Sequence, residues 1–454
     1  MNCFKHFEEV IDTEAREAAL KIINDVHTNG AYANITLAKT LTKHEFSEQD
    51  RRFITELVYG TIKTGETLDW IIGHFSQRSL TKIPPIILDI LRMGIYQMFF
   101  LTKVPDSAAC NQAVQLTKKY GHAGTVKFVN AVLRNAGRTR GKIVYPERDK
   151  DAAAFLALKY FHPKWLIARW LKRFGFDATE ALCQANNTTP PLSLRTNTLK
   201  IQRSELLEVL GQEKVICQPS VWTPEGIICR EYPSLTTLKS LQAGLFQVQD
   251  ESSMLVAHVL DPQPGDFIID ACSAPGGKST HMAALMNNTG RILSLDIHEH
   301  KLLLIQENAK RLGINIIETF AADSSLLAKN YAFQADRVLV DAPCSGLGVI
   351  RRKPDSRWRK TESMLTELPK LQTAILASAA ECVKPGGVLV YSTCTIEPEE
   401  NDQVIQAFLH NQKNFQLDSV GSYLPVPAEV DTLQLLPHIH QVDGFYIARM
   451  IRIK

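Results

Sequence analysis

The sequence predicts a multidomain protein: an all-α domain first, then a small α/β subdomain, then an α/β domain built on a parallel sheet. Three observations carry this. At 454 residues the chain is too long for one ordinary core, since domains run at roughly 150 residues each. Apolar residues recur at helical spacing up to about residue 138, with little β signal. From Phe246 onward, short β-branched runs alternate with helical stretches, the pattern of strands joined by crossover helices.

The helical domain is read from TEAREAALKIINDVH (13–27), NITLAKTL (34–41), the run 47–75, PPIILDILRMGIYQMFFL (84–101) and SAACNQAVQLTKKY (107–120). Ser47 stands ahead of one run and Pro84-Pro85 opens another, as helix starts require. The most apolar stretch carries Asp89 and Arg92 in its middle, which marks a buried helix rather than a membrane span. Gly137-Arg138-Thr139-Arg140-Gly141 breaks the periodicity and is expected to be a linker. The expected domains are therefore 1–140, 141–245 and 246–454.

Within 141–245, helical KYFHPKWLIARWLKRFG (159–175) and DATEALCQANN (177–187) precede the strand-like LSLRTNT (192–198). Beyond Phe246 the strands are FIIDAC (267–272), RILSLDI (291–297), NIIETFAAD (315–323), DRVLVDAP (336–343) and GGVLVYSTC (386–394). Ligands of such sheets bind at the carboxyl ends of the strands. That rule points to Asp270–Lys278, Asp296, Asp323, Asp341–Cys344 and Thr393–Cys394, all expected on one rim.

Apolar residues make up 45% and charged residues 22%, ordinary for a soluble globular protein. The N-terminal twenty residues mix charges and have no apolar core, so no leader is expected and the cytoplasm is the expected location. Nine cysteines, an odd number without a C-x-x-C pair or zinc spacing, predict reduced thiols and no structural metal. Charge is uneven: residues 101–150 hold ten Lys/Arg against three Asp/Glu, and Arg351–Lys360 holds six basic residues and one acid. Both runs suit a polyanion, against the blander alternative of a solvated face.

The segment Asp270-Ala271-Cys272-Ser273-Ala274-Pro275-Gly276-Gly277-Lys278 ends a strand and opens a helix. Its glycines permit close backbone approach, and a helix start presents free N–H groups. A P-loop would need glycine at position 272, which is cysteine, and G-x-G-x-x-G is absent. A nucleoside without phosphates stays open as ligand. Asp296 follows Gly276 by 20 residues, the offset of a ribose-binding acid, and Asp323 could meet an adenine amino group. A helix-cap role is the alternative for each.

Two cysteines, Cys344 after Asp341-Ala342-Pro343 and Cys394 after Ser392-Thr393, end consecutive strands. Carbon 5 of cytosine is too weak a nucleophile to accept a methyl group unless a thiolate first adds to carbon 6. Lys278 is a candidate for raising thiolate content, and Asp341 for binding the edge of the base. Packing is the alternative for both thiols.

DACSAPGGKSTH (270–281), VDAPCSGLGVIRRKPD (340–355) and YSTCTIEPEEN (391–401) resemble motifs I, IV and VI of the bacterial ribosomal RNA cytosine-C5 methyltransferases. QVQDESS (247–253) and LSLRTNT resemble segments before that family's core, and residues 12–138 resemble the NusB domain that its RsmB/Sun branch fuses in front. The resemblance spans nearly the whole chain. It implies a NusB-like RNA-binding domain, a Rossmann-like catalytic domain and S-adenosylmethionine as cofactor. Cys272, Ser273, Ala274, Pro275, Gly276, Gly277 and Lys278 would cradle the cofactor, Asp296 would bind its ribose, Asp323 its adenine, and Asp341 would lie between cofactor and base. Cys394 would attack and Cys344 would assist release. Ser273 departs mildly from the family's usual alanine. Spacing alone does not assign the two thiols, because DNA cytosine-C5 methyltransferases attack from the Pro-Cys cysteine.

The implied substrate is an unpaired or flipped-out cytosine of small-subunit 16S ribosomal RNA, with transfer RNA as the alternative acceptor. The basic run after Cys344 would hold flanking phosphates. A non-catalytic RNA-binding regulator is the rival from another class, against which the paired cofactor and cysteine motifs stand.

Overall fold

The computed structural model describes residues 2–139 and 143–454 and divides into two units, Met1–Asn187 with Arg352–Lys360, and Thr188–Arg351 with Thr361–Lys454. In the first unit, helices Asn2–Asn29, Ala33–Lys43, Glu48–Phe75, Pro85–Phe100, Asp106–Tyr120 and Ala123–Thr139 are followed by Ala152–Tyr160 and Lys164–Ala185. Their buried positions follow helical spacing, as in Ile54, Leu57 and Val58 or Ile87, Ile90 and Leu91. Ser47 Oγ accepts the N–H of Asp50 at 3.1 Å, which fixes that helix start. Asp89, fully buried, accepts from Asn24 Nδ2 and Arg92 Nη1 at 2.9 Å each. Among the described residues no helix is long and apolar enough to cross a membrane.

Two expectations differ here. The break at Gly137 is instead the last turn of helix Ala123–Thr139. A Cβ on Gly137 would lie 2.9 Å from Met98 Cε, so glycine serves close packing rather than flexibility. Arg140 and Gly141, also assigned to that linker, lie outside the described residues.

The basic run is the second difference, because several of its side chains face protein rather than solvent. Arg357 is buried and donates to Phe161 O (2.6 Å), Asn187 Oδ1 (3.1 Å) and Asn186 O (3.2 Å). Trp358 Nε1 donates to Ile62 O at 2.7 Å, beside the kink of helix Glu48–Phe75 at Gly65. Arg359 donates to Gly30 O and Ala31 O, and Arg351, in the second unit, pairs with buried Asp443 at 2.5 Å. Only Lys353 of this run is classed as exposed. A guanidinium buried among backbone and side-chain acceptors, as at Arg357, is not presented to a phosphate in solvent.

The second unit holds a small antiparallel sheet of β1 (Leu192–Thr196), β2 (Ile216–Pro219), β3 (Gly226–Glu231) and β4 (Phe246–Val248), in the order β2-β3-β1-β4. A large sheet follows: β5 (Phe267–Asp270), β6 (Arg291–Asp296), β7 (Ile317–Ala321), β8 (Ala335–Asp341), β9 (Val383–Thr393), β10 (Phe415–Asp418), β11 (Thr432–Leu435) and β12 (Phe445–Arg452). Its order is β10-β12-β9-β8-β5-β6-β7, with β11 on β12. Strands β5 to β9 are parallel, as expected, but β12 pairs antiparallel with β9, β10 and β11, so the sheet is mixed. The alternation of side chains sends Val338, Val340, Leu389 and Tyr391 to one core and Leu339, Val388 and Val390 to the other, which is why these runs are apolar throughout.

Candidate active site

The parallel register, with Asp341 beside Ser392 and Asp270 beside Ser294, brings the ends of β5, β6, β7, β8 and β9 to one rim. After β5 the chain turns tightly. Ser273 donates through N and Oγ to Leu295 O at 2.8 and 2.9 Å. Gly276 N then donates to Ser273 O at 2.7 Å, with Gly276 at φ +93°, a conformation open to glycine. Helix Gly277–Leu285 begins at once.

A cavity of about 410 Å³ opens at this rim, lined by Cys272, Ala274, Asp296, Asp323 and Asp341 among the predicted residues. Ser273, Pro275, Gly276, Gly277 and Lys278 are not on its wall; they build the turn and helix start. Ile297, Leu371 and Ile375 add apolar surface, and His298 and Lys301 add polar groups. Sequence reasoning missed these five. Ile297 and His298 were within reach, because they directly follow a strand end, but nothing marks Leu371 or Ile375 in a helix distant in sequence.

Asp296 and Asp323 are both loop caps and cavity residues. Asp296 Oδ1 accepts His298 N at 2.9 Å. Asp323 Oδ1 accepts Ser325 N at 2.9 Å and Ser325 Oγ at 2.7 Å, which holds its carboxyl below the usual value. Capping engages one oxygen in each case and orients the other. Cys272 is pushed up as a thiol by burial and by the nearby Asp270, Asp341 and Asp296 charges, so it is an inert wall residue.

Asp341 is fixed from two sides: Lys278 Nζ lies 2.6 Å from Oδ2 and Ser392 Oγ donates to Oδ1 at 2.8 Å. Asp270, in the strand beside that of Asp341, is fully buried and accepts from Ser279 Oγ at 2.6 Å, while Oδ1 has no hydrogen-bond partner. Burial first, and the charge of Asp341, push the Asp270 carboxyl up to about 7.

Cys344 and Cys394 meet, Sγ to Sγ, at 3.4 Å, both partly buried. The hydrogen bond to Cys394, then burial, then the negative charges of Cys394, Glu400 and Asp341 push the Cys344 thiol well above its ordinary value. Behind the sulfurs lies a polar network that the sequence did not single out. Glu400 accepts from Ser345 N (2.8 Å), Ser345 Oγ and Gln372 Nε2 (2.9 Å). Gln372 also donates to Pro343 O at 3.0 Å, and Asn401 Nδ2 to Thr395 O at 3.1 Å. Gly348 N donates to Cys394 O at 3.0 Å, and a Cβ on Gly348 would lie 2.1 Å from Gly444 O. A thiol pair next to a carboxylate–lysine pair and a nucleoside-sized cavity suits covalent chemistry on a planar base.

Family comparisons agree with this architecture. Residues 257–451 match the model described as 16S rRNA methyltransferase RsmB/F, residues 13–138 the NusB family, and residues 162–235 the ferredoxin-like domain of RsmF/B-like methyltransferases. The Bacillus subtilis (strain 168) protein "Probable ribosomal RNA small subunit methyltransferase B" is 40% identical over 446 residues, covering 96% of this chain and 98% of that one. A Synechocystis protein of the same description is 37% identical, with coverage of 96% and 99%. Among solved structures, PH0851 superposes at a TM-score of 0.82 with 28% identity over 95% of this chain and 98% of that one. NSun6 from Pyrococcus horikoshii with SFG superposes at 0.58 with 25% identity over 64% and 98%. On its sequence motifs, its fold and relatives that align over nearly its entire length, this chain belongs to the RsmB/F family of 16S ribosomal RNA methyltransferases.

Proposed function

We propose that the protein methylates carbon 5 of a cytosine in small-subunit ribosomal RNA, with Cys394 as nucleophile and Cys344 assisting release. The observation that carries this reading is the 3.4 Å approach of the two sulfurs at the tips of adjacent parallel strands. Two thiols this close titrate as a pair that carries one negative charge, and we assign that charge to Cys394 because its Thr-Cys turn resembles the motif of the RNA-methylating family.

The rim residues fit S-adenosylmethionine. Asp296 would offer a carboxylate to ribose hydroxyls, Asp323 one to an adenine amino group, and Ile297 and Ile375 would form an apolar wall for the ring. The carboxylate of Asp341, on the cavity wall, would face the cofactor's positive charge. When bound, this cofactor supplies the electrophilic methyl group.

The chain's own residues do the rest. Cys394 adds to carbon 6, forming a C–S bond as the C5–C6 π electrons move onto the ring. Asp341, oriented by Lys278 and Ser392, accepts from the amino edge of the base and holds the ring in place for attack. Carbon 5 then takes the methyl group. Adduct formation neutralises Cys394, so its negative charge no longer opposes ionisation of Cys344. Cys344 loses its proton to water and takes the proton from carbon 5, while the C–S bond breaks and Cys394 departs as thiolate.

The test is a pair of variants incubated with 16S ribosomal RNA and cofactor. Cys394→Ala is expected to abolish methylation, and Cys344→Ala to accumulate a covalent RNA–protein adduct on denaturing gels. An adduct in Cys394→Ala and none in Cys344→Ala would reverse the assignment.

A further inference from the structure

We propose that Glu400 is the positioning residue of the thiol pair, clamping the turns that carry Cys344 and Cys394 so that the two sulfurs meet. This inference rests on the reading of Cys394 as nucleophile. Glu400 is fully buried and does not line the cavity at the rim. Its carboxylate accepts from both the N–H and the hydroxyl of Ser345, the residue directly after Cys344. That hydroxyl lies 2.9 Å from Thr395 Oγ1, the residue directly after Cys394. Gln372 bridges Glu400 to Pro343 O, the residue directly before Cys344. One carboxylate therefore holds Cys344 from both sides and reaches the Cys394 turn through a single hydroxyl. The main chain of Glu400 is fixed in turn by Tyr391 OH, which donates to its carbonyl at 2.6 Å.

A carboxylate is an acceptor-only group, which matches three converging donors. Glutamine would place a donor against one of them. Burying a carboxylate is costly unless its charge is used, and the charge of Glu400 falls on Cys344. The other titratable groups facing Cys344 are Cys394, Asp341 with Lys278 behind it, and Tyr391. All but Lys278 are anionic when ionised, so Glu400 adds to a field that keeps a second thiolate from forming.

The experiment uses the full chain without RNA or cofactor: pH-dependent alkylation of Cys344 by a small haloacetamide, read by peptide mass spectrometry, beside steady-state methylation. Glu400→Gln is expected to move the Cys344 alkylation midpoint about one pH unit toward acid. It should lower kcat by roughly 10–100-fold with KM for RNA and cofactor unchanged, as misplaced reacting groups do. Ser345→Ala, which keeps the charge but cuts the bridge to Thr395, should lower kcat while leaving the midpoint in place. Glu400→Asp should hold the midpoint if Glu400→Gln fails to fold. A merely structural role would reduce activity only in proportion to folded protein. Glu400→Gln with the wild-type midpoint and wild-type kcat per folded molecule overturns the proposal, as does Glu400→Asp with a midpoint displaced toward acid. Because the alkylation needs no substrate, methylation surviving in Cys394→Ala would sink the nucleophile reading by itself.

Discussion

Replacing Asp270 by Asn should stabilise the cofactor-free protein, and the gain should depend on pH in a definite direction. Asp270 is fully buried, with Ser279 on one oxygen and nothing on the other, and its carboxyl is pushed from 3.8 up to about 7. A raised carboxyl binds its proton more tightly in the folded chain than in the unfolded one. Its contribution is therefore favourable below pH 3.8 and is lost as pH rises to about 7, beyond which the penalty is complete. At about 1.4 kcal/mol per pH unit, the ionised group costs about 4 kcal/mol at pH 8 and about 2 kcal/mol at pH 5. Asn cannot ionise, and it retains an acceptor for Ser279. Whatever fixed cost its amide brings, the stability of Asp270→Asn relative to wild type should rise by about 2–3 kcal/mol between pH 5 and pH 8. Urea unfolding read by pulsed hydrogen exchange of the peptide containing β5 reports on this domain alone. A difference that is flat with pH, or larger at pH 5, would refute the burial argument.

Other consequences follow from the same geometry. Lys278→Met leaves Asp341 without its cation at 2.6 Å and should lower kcat on the order of 10²-fold, measured by methyl incorporation into 16S ribosomal RNA. A dithiol oxidant such as diamide should join Cys344 and Cys394, already at 3.4 Å, by removing two hydrogens; activity should fall and return with dithiothreitol, and mass spectrometry should find the linked peptides. Arg357→Ala leaves Phe161 O and Asn186 O without a buried donor and should destabilise the helical unit by about 2–4 kcal/mol, seen as a lower urea midpoint for its helices. Because Arg357 is buried, the slope of RNA affinity against salt should stay as in wild type.

Much of the fold was legible because periodicity follows directly from which side chains must be buried. Ile54, Leu57 and Val58 announce a helix and Val338–Val340 a two-sided strand, whatever lies around them. Crossover spacing likewise makes β5 to β9 parallel, which puts Asp296, Asp323, Asp341 and Cys394 at corresponding strand ends. The sequence by itself thus determined the domain types, the rim and the chemical identity of its groups. Three-dimensional packing decided the rest. The antiparallel β12 has the same apolar alternation as a parallel strand, so only its partner reveals its direction. Gly137 reads as a break until Met98 is seen against it. Arg351, Arg357 and Arg359 look like a phosphate-binding run, since formal charge is visible in a sequence while burial and acceptors are not. Glu400 lies in the quoted YSTCTIEPEEN run with no role visible there, and Gln372 carries no local signal. Their place beside the thiols depends on a helix and a turn that meet only after the chain has folded, because hydrogen bonds join groups near in space however far apart they lie along the chain.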